Sequence, residues 1–536
     1  MKRPCSLTSA LALALLTLLA FTGCKKEEAP PATPHAVTSA AIVSAEKTSF
    51  AQVTSQLDPG GSLYLYLSTE QCLAGLSGKA SALRGLLGAI PDMKAEDRDN
   101  LNKAFDIVTN LIQKSGTEDV SGFGMSAIAR ETNFYHTKAF LHHYPGKGSG
   151  FLWNMFGQKP HALDGLSLLP ASTALATFID LDAPMVWSVV QKQVAESGFP
   201  QAEELLKQLP DNFEKATGLK WEQVLASLGG EFGFAVCLDD TKMITIPLPT
   251  NGDPLQIPEP ALLLVAKVKD DTIFNRIDAA LTQSAGQQII KADKPGLKMR
   301  TWPLPVPLPI QLRPTVALAD GYLFIATTDA LIQEVLAVKA GQHPGLKSTQ
   351  EFQRLSKDVP AQGNSFSFVS LRFGQTMLKV QQQAIQMTAN SPDNPTAWLQ
   401  SFLGSGKATD SYTVAANTDE GWLTVANGTQ PPTRMLAVAA AVPIGIVAGI
   451  AIPNFVKARQ TAQQNACINN LRQIDAAKKQ WALENKKTDT DTPTREDLTP
   501  LLSNKQFPVC PAGGNYTINP VSQRPECSHE GHSLPE

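Results

Sequence analysis

The sequence predicts an α+β protein: two related lobes of antiparallel or mixed sheet with helices, then a long hydrophobic-to-amphipathic helix and a small C-terminal module of loop and strand. Three observations predict this class. Short β-prone runs alternate with helical segments through the large middle of the chain. Residues 435–452 form an apolar stretch without a charge. Residues 453–487 then continue with apolar side chains at helical spacing.

Length and composition restrict the number of domains and the kind of partner. A chain of 536 residues is too long for one hydrophobic core, so several domains are expected. The chain is 43% hydrophobic and 18% charged, with a net charge of -3. Nucleic-acid binding requires a clustered basic surface, which this balance does not indicate. We therefore expect a folded protein that does not bind nucleic acid.

The first residues predict a targeting segment and a tether. Residues 1–23 begin with Lys2 and Arg3 and continue as an apolar run too short to span a bilayer comfortably. Small residues then precede Cys24, and this arrangement resembles the lipobox of bacterial lipoproteins. The resemblance implies that a diacylglycerol is attached to Cys24 and that the main domain lies outside the cytoplasm, in the cell envelope. An ordinary secretory signal is the alternative. Residues 24–40 are charged and proline-rich, which predicts a flexible tether.

The middle of the chain predicts two lobes, residues 41–165 and residues 166–430. In each, strand-like runs are followed by helical runs and by hairpin pairs. Asp320 and Gly321 separate two short strands and supply the positive φ of a tight hairpin turn. The repeated order of strand and helix is the reason for predicting that the lobes are related in structure.

Chemically informative motifs are missing from this middle region. It has no glycine-rich phosphate loop, no zinc-protease motif and no nucleophile elbow. His142 and His143 are neighbours on a predicted strand and so face opposite sides, which predicts surface roles rather than a shared metal. Asp180 and Asp182 could form an acid–base pair, but capping of the next helix by Asp182 is the preferred interpretation. The sequence therefore predicts no catalytic residue, no cofactor and no enzymatic activity.

The second half of the C-terminal helix predicts a packing face. Residues 435–452 are long enough to cross a membrane. The alternative is that they do not span it and instead pack against the middle domain or a partner's helix. Residues 453–487 predict an amphipathic helix whose polar face carries alternating charges. The apolar face predicted for helix packing consists of Ile468, Leu471, Ile474 and Trp481.

A family resemblance becomes visible in this region. The stretch AGIAIPNFVKARQTAQQNACINNLRQIDAAKKQWALENK, followed by PTREDLTPLL and CPAGGNYTINP, resembles the type II secretion pseudopilin or type IV pilin-like family over about 100 of the 536 residues. The resemblance implies a non-enzymatic subunit whose apolar half-helix lies in the membrane and packs with other subunits. Leu436 stands where the family has a glutamate, and no Gly-Phe junction precedes it. An uncleaved, internal copy of the family helix is therefore expected.

The tail, residues 488–536, contains two cysteines on either side of a Gly-Gly loop. Cys510 and Cys527 are 17 positions apart, and a disulfide between them would stabilise a module with little core of its own. The alternative is a zinc site formed by Cys510, Cys527, His529 and His532. The disulfide is preferred because an exported domain meets an oxidising environment. Cys467, on the long helix, is predicted to be a core residue or a helix-contact residue.

These observations together predict a non-enzymatic, membrane-anchored, exported protein. Its pseudopilin-like module would act in, or derive from, a type II secretion or pilus-like assembly, with the membrane and pilin-like or secretion subunits as partners. The alternative is a cell-envelope binding module whose C-terminal helix is only an anchor. The side of the membrane on which residues 453–536 lie stays open, because the positive-inside rule and the cysteines favour opposite sides.

Overall fold

The computed structural model describes residues 48–88, 95–246, 254–285, 288–304, 312–388, 407–430, 432, 464, 466–502, 505–511, 513–529 and 531–534. The chain divides into two compact units, Met1–Pro432 and Thr433–Glu536. Each unit has its own hydrophobic core, and each is described by itself.

The first unit is built on one sheet of 13 strands, in which every pair of neighbours is antiparallel. Two further short strands, β4 and β12, pair with each other. The strands are β1 Leu63–Ser68, β2 Val120–Glu131, β3 Phe134–His143, β4 His161–Ala162, β5 Thr173–Asp180, β6 Leu228–Ile246, β7 Leu255–Val268, β8 Ile290–Lys294, β9 Leu297–Thr301, β10 Thr315–Ala319, β11 Tyr322–Ala326, β12 Gln362–Gly363, β13 Ser365–Val369, β14 Ser411–Thr418 and β15 Gly421–Gly428.

Helices connect these strands and cover the sheet. They are α1 Phe50–Ser55, α2 Glu70–Leu73, α3 Leu76–Gly88, α4 Ala95–Ser115, α5 Phe151–Asn154, α6 Ala183–Ala195, α7 Pro200–Thr217, α8 Trp221–Ser227, α9 Thr272–Ala285, α10 Asp329–Lys339, α11 Gln350–Leu355 and α12 Leu371–Thr388. Short 3-10 helices lie at Thr117–Asp119, Asp164–Leu168 and Leu346–Ser348.

A unit of strand, helix and hairpin occurs three times in this sheet. The leading strands are β1, β5 and β13, and the hairpins that follow them are β2–β3, β6–β7 and β14–β15. Each leading strand pairs antiparallel with the first strand of its own hairpin, so each unit occupies three neighbouring positions. The order across the sheet is β1-β2-β3-β15-β14-β13-β5-β6-β7-β11-β10-β9-β8. The predicted repetition of strand and helix is therefore a real feature of the α+β fold.

The predicted separation of this region into two lobes is wrong. Strand β3 pairs along its length with β15, from Gly421 opposite His142 to Gly428 opposite Tyr135. Residues before and after position 165 therefore belong to one sheet. The pairing of β3 with β15 satisfies backbone N–H and C=O groups that the edge of an open sheet would leave exposed. Local sequence does not specify which strand edges pair in this way. The mixed-sheet option is also excluded among the described strands, because all of their pairings are antiparallel.

The main core lies on one face of the central strands. Phe178 and Phe366 stack with ring centroids 5.0 Å apart, and Phe324 and Phe368 are fully buried nearby in the same core. Helices α10 and α11 cover this face with residues such as Ile332. Burial of each such side chain contributes about 1.5–3 kcal/mol. Alternate residues along each strand point to the other face, so that face needs its own cover.

Two helices cover parts of the opposite face. Phe274 of α9 packs against Val316 and Leu323, which alternate with core residues on β10 and β11. Phe373 of α12 packs against Val236 and other residues of β5 and β6.

The second unit contains one long helix, α13, over residues 466–484, and a tail that folds back on it. The tail contains α14 Arg495–Leu498, a 3-10 helix at Thr499–Leu501, and the two-stranded pair β16 Tyr516–Thr517 and β17 Glu526–Cys527. Thr494 and Asp497 stand three positions apart in the sequence, a spacing that predicts a capping box at the start of α14. The structure confirms it: the Thr494 hydroxyl accepts from the Asp497 amide, and the Asp497 carboxylate accepts from the Thr494 amide.

Five predictions concern residues that lie wholly or partly outside the described part of the chain. These are the targeting segment 1–23, the lipidation of Cys24, the tether 24–40, the hydrophobic helix 435–452 and the first part of the amphipathic helix, 453–463. Among the residues that the structure describes, no helix combines the length and the apolar character needed to cross a membrane.

Candidate functional site

The second unit brings three cysteines and one histidine together. One ligand atom from each of Cys467, Cys510, Cys527 and His532 lies within 4.8 Å of all the others. Cys467 lies on α13, Cys510 on the loop after α14, Cys527 on β17 and His532 near the end of the tail. The cluster therefore joins the helix to three separate parts of the tail.

This cluster is largely shielded from solvent. Cys467 is fully buried, Cys510 is 3% exposed and His532 is 7% exposed, while Cys527 is partly buried. The Cys510 sulfur lies 3.7 Å from Nδ1 of His532. Four soft or borderline donor atoms thus converge on one small interior volume.

Local sequence explains how the Cys467 and Cys527 sulfur atoms come to lie in the cluster. Cys467, Leu471 and Ile474 follow one another at spacings of four and three, so Cys467 continues the buried face of α13. On the other side, Gly514 passes close to β17. A Cβ at position 514 would lie 2.6 Å from the Cys527 sulfur, so only glycine allows this approach.

A second glycine shapes the tail before His532. Gly531 has a φ of 78°, which glycine adopts without strain, and its carbonyl oxygen accepts from Gln464 Nε2 at 2.7 Å. The His532 amide closes the same turn by donating to the His529 carbonyl at 3.1 Å. The turn places the His532 ring in the cluster and leaves His529 exposed at its edge.

Hydrogen bonds reach two of the sulfur atoms. The Tyr516 hydroxyl donates to Cys467 Sγ at 3.3 Å, and the His529 amide donates to Cys527 Sγ at 3.5 Å. Tyr516 also accepts from Asn470 Nδ2 at 3.1 Å. Such outer contacts orient sulfur ligands and stabilise negative charge on them.

Electrostatics in the cluster favour protonated thiols when no cation is present. Burial raises the pKa of the Cys467 thiol to about 12; the Tyr516 hydroxyl opposes this shift, and the nearby Cys527 and Cys510 thiols add to it. Burial, and then His529, lowers the pKa of His532. The imidazole is therefore held neutral, which is the form that binds metals, while ionisation of the thiols requires a compensating positive charge.

The sequence-based expectations for the tail are only partly met. Cys510 and Cys527 are both thiols, and the predicted disulfide between them is not formed. Three of the four residues named for the zinc alternative do cluster, but Cys467 takes the place predicted for His529. His529 instead lies beside His532, with ring centroids 4.3 Å apart and the ring planes tilted by 35°. Cys467 precedes Leu471 by four positions, about one helical turn. This spacing could have shown that Cys467 lies on the buried face of the helix.

The predicted packing face of the long helix is covered within the second unit. Leu471, Ile474 and Trp481 are buried against the tail, where they meet Leu498 and other apolar residues, and Ile468 is half-buried. The amphipathic pattern therefore corresponds to a face that is buried within the second unit. Its cover is the chain's own tail.

An open apolar face on the first unit is the other notable feature. On the face of the sheet opposite the main core lies a groove with a volume of about 460 Å³, and Leu264, which lines it, is half-exposed. Thr177 carries the one polar side chain among the described residues that line it. The apolar lining includes Ile179, Phe232, Phe234, Leu264, Leu323 and Ile325. A volume of this size suits a small apolar ligand.

The remaining polar candidates of the first unit have structural roles. The Asp182 carboxylate accepts from the Met185 amide at 2.9 Å, so the predicted helix cap is confirmed. Asp180 is bonded to His161 Nε2 at 2.8 Å and does not form an acid–base pair with Asp182. The predicted surface role of His142 and His143 is wrong, since both are buried. Neighbouring residues of β3, which point to opposite faces of the sheet, are both buried here, so both faces of this strand are covered.

Comparison with known proteins adds one finding. Neither a curated protein nor a solved structure matches the chain. A model of the family described as "Protein of unknown function (DUF3352)" matches residues 152–418, which extend from α5 to the end of β14.

Proposed function

We propose that this is a non-enzymatic, exported protein anchored to the membrane by a lipid on Cys24. Its pseudopilin-like C-terminal module acts in, or derives from, a type II secretion or pilus-like assembly. One observation carries the proposal: within the region of family resemblance, the described residues of α13 and the tail have a hydrophobic core of their own. A module that derives from another protein family is expected to fold around its own core.

The arrangement within the module adds support. The resemblance implies a polar helix followed by a short C-terminal loop region, and α13 with the tail packed on it is compatible with that order. Because the tail already covers the apolar face of α13, that face is not available for neighbouring subunits. The proposal therefore assigns subunit contact to the apolar stretch 435–452.

The anchoring part of the proposal is tested with two cysteine variants in the native host. Cys24→Ser should abolish metabolic labelling with palmitate. When residues 433–536 are deleted as well, the same variant should leave the membrane fraction. Cys5→Ser, in the same signal segment, is the matched control and should change neither result. Palmitate labelling that persists in Cys24→Ser would contradict lipidation at this residue.

The assembly part is tested by deleting residues 433–536 from the otherwise intact chain. Affinity purification of the full chain should recover pilin-like or secretion-system subunits, and the deletion should lose them while the first unit keeps its thermal transition. Recovery of the same subunits with the deleted chain would reject the assigned role of the module.

The open groove favours a second function, a binding module for a fatty acyl chain. The groove is apolar, carries no charged lining among the described residues, and has a volume within the usual range for small ligands. Leu264→Glu should abolish binding of a fluorescent fatty acid by placing a charge in the groove. Leu205→Glu, which changes an exposed leucine on α7 outside the groove, should leave binding unchanged. Equal binding by both variants would remove this candidate.

A further inference from the structure

We propose that Cys467, Cys510, Cys527 and His532 bind one zinc ion in a structural site that fastens the tail to α13. The proposal concerns the stability of the second unit and is independent of the function assigned to the whole protein. It rests on the convergence of four donor atoms, their burial and the chemistry of the donor set.

The spacing of the donors fits a tetrahedral ion. Zinc–sulfur bonds of about 2.3 Å and zinc–nitrogen bonds of about 2.0 Å place neighbouring sulfurs about 3.8 Å apart, and sulfur about 3.5 Å from nitrogen. The Cys510 sulfur and His532 Nδ1 are 3.7 Å apart, and all four donor atoms lie within 4.8 Å of one another. Small side-chain rotations are enough to reach the ideal separations.

Donor chemistry selects zinc over harder cations. Calcium and magnesium require oxygen ligands, whereas three sulfurs and one imidazole nitrogen suit zinc. Zinc also supplies the positive charge that three neighbouring thiolates require in a buried place. Four protein ligands complete the coordination shell and leave no open position, which is the arrangement of structural rather than catalytic zinc sites.

The cluster is better suited to a metal than to a disulfide. A disulfide would use two of the three sulfurs and leave a thiol and a neutral imidazole buried beside it. A zinc ion uses all four groups at once. The contacts of Tyr516 with Cys467 Sγ and of the His529 amide with Cys527 Sγ then serve as the outer hydrogen bonds that orient the ligands.

Metal analysis of the full chain tests the proposal. The protein is purified without chelators, and its zinc content is measured by inductively coupled plasma mass spectrometry. The expected result is about one zinc ion per chain, as for other Cys3His sites. Cys467→Ser should lose the ion, whereas Cys237→Ser, which changes a buried cysteine of the first unit, should retain it.

Two histidine variants distinguish this ligand set from the zinc ligand set that the sequence suggested, which contained His529 in place of Cys467. His529→Ala should retain zinc, and His532→Ala should lose it. Loss of zinc in His529→Ala together with its retention in Cys467→Ser would overturn the proposed ligand set. An intact disulfide between any two of these cysteines in the purified protein, seen by mass spectrometry of non-reduced peptides, would overturn the site itself.

Cobalt substitution keeps the proposal testable if the variants fail to fold. The reduced wild-type chain, titrated with Co²⁺, should show the intense visible bands of a tetrahedral cobalt–thiolate centre and saturate at about one equivalent. Added zinc should remove these bands by displacing cobalt. A spectrum without thiolate bands would contradict the site even if zinc is found in the preparation.

Discussion

At position 478 a lysine side chain is fully buried in the second unit, where an apolar residue would be expected from helical spacing. Its amino group donates to the carbonyl oxygens of Ile518, at 3.0 Å, and of Gln523. Burial lowers the pKa of Lys478, so these hydrogen bonds are what makes the buried amine tolerable. The residue ties the loop between β16 and β17 to α13.

We expect Lys478→Met to destabilise the second unit by about 2–3 kcal/mol, because the methionine keeps the packing but removes the donor from the carbonyl oxygens of Ile518, Asn519 and Gln523. Lys479→Met, which removes an exposed pair with Asp475, should cost less than about 1 kcal/mol. Thermal denaturation of the two variants makes the comparison. Equal stability of both would show that the buried amine contributes nothing.

His142 gives the first unit a stability that depends on pH. Its Nδ1 lies 2.6 Å from the Ser121 hydroxyl, whereas Nε2 is buried with no hydrogen-bond partner in the described part of the chain. Burial lowers the pKa of His142 below 6.5, and it also lowers the pKa of His136. The unfolded chain therefore binds these protons at a higher pH than the folded chain does.

The stability from these two histidines should be fully present above pH 6.5 and should decrease as the pH falls from there through the lowered pKa values. We expect the midpoint of thermal unfolding to be lower at pH 5 than at pH 7.5. His161 acts in the opposite direction, since its hydrogen bonds to Ala162 and Asp180 outweigh burial and raise its pKa. A double variant, His136→Asn with His142→Asn, should flatten the pH dependence; an unchanged slope would assign it to other groups.

At the scale of elements, Arg300 joins three parts of the first unit. Its guanidinium on β9 forms paired hydrogen bonds with Asp278 on α9, at 2.7 and 2.8 Å, and further bonds with Asp293 on β8. It also lies over the Phe274 ring, 5.4 Å from the centroid. The arginine holds the edge hairpin and α9 together, and planar bidentate geometry makes this pairing stronger than an ordinary surface ion pair.

Replacement of Arg300 by methionine should destabilise the first unit by about 2–3 kcal/mol, since the charge-assisted bonds are lost while the aliphatic packing is kept. Lys298→Met is the control on the same strand, because Lys298 forms an exposed pair with Asp271 and should contribute less than about 1 kcal/mol. Denaturant unfolding curves measure both. The interpretation fails if the two variants are equally stable.

At the scale of the whole molecule, the two units have separate cores. We expect calorimetry to resolve two unfolding transitions, because each core can be lost without the other. Lys478→Met should shift one transition, and Arg300→Met the other. A single transition that both variants shift equally would mean that the chain unfolds as one cooperative unit.

Local patterns were sufficient for much of the fold. Alternating apolar residues predicted most strands, the Asp320–Gly321 turn predicted its hairpin, and both Asp182 and the Thr494 capping box were identified from neighbouring residues. These features depend on residues only a few positions apart. The open face around Leu264 was not predicted, because the pattern of a strand does not reveal which helices will cover it.

By itself the sequence determined the α+β class, the repeated order of strand and helix, and the buried face of α13. Only the tertiary structure decided that β3 pairs with β15 to give a single sheet, and that Cys467 rather than His529 meets Cys510, Cys527 and His532. The physical reason is the separation along the chain of the residues that interact. Helices, turns and caps follow from interactions along a few residues, whereas sheet order and side-chain clusters depend on how distant segments satisfy their backbone groups and bury their apolar faces together.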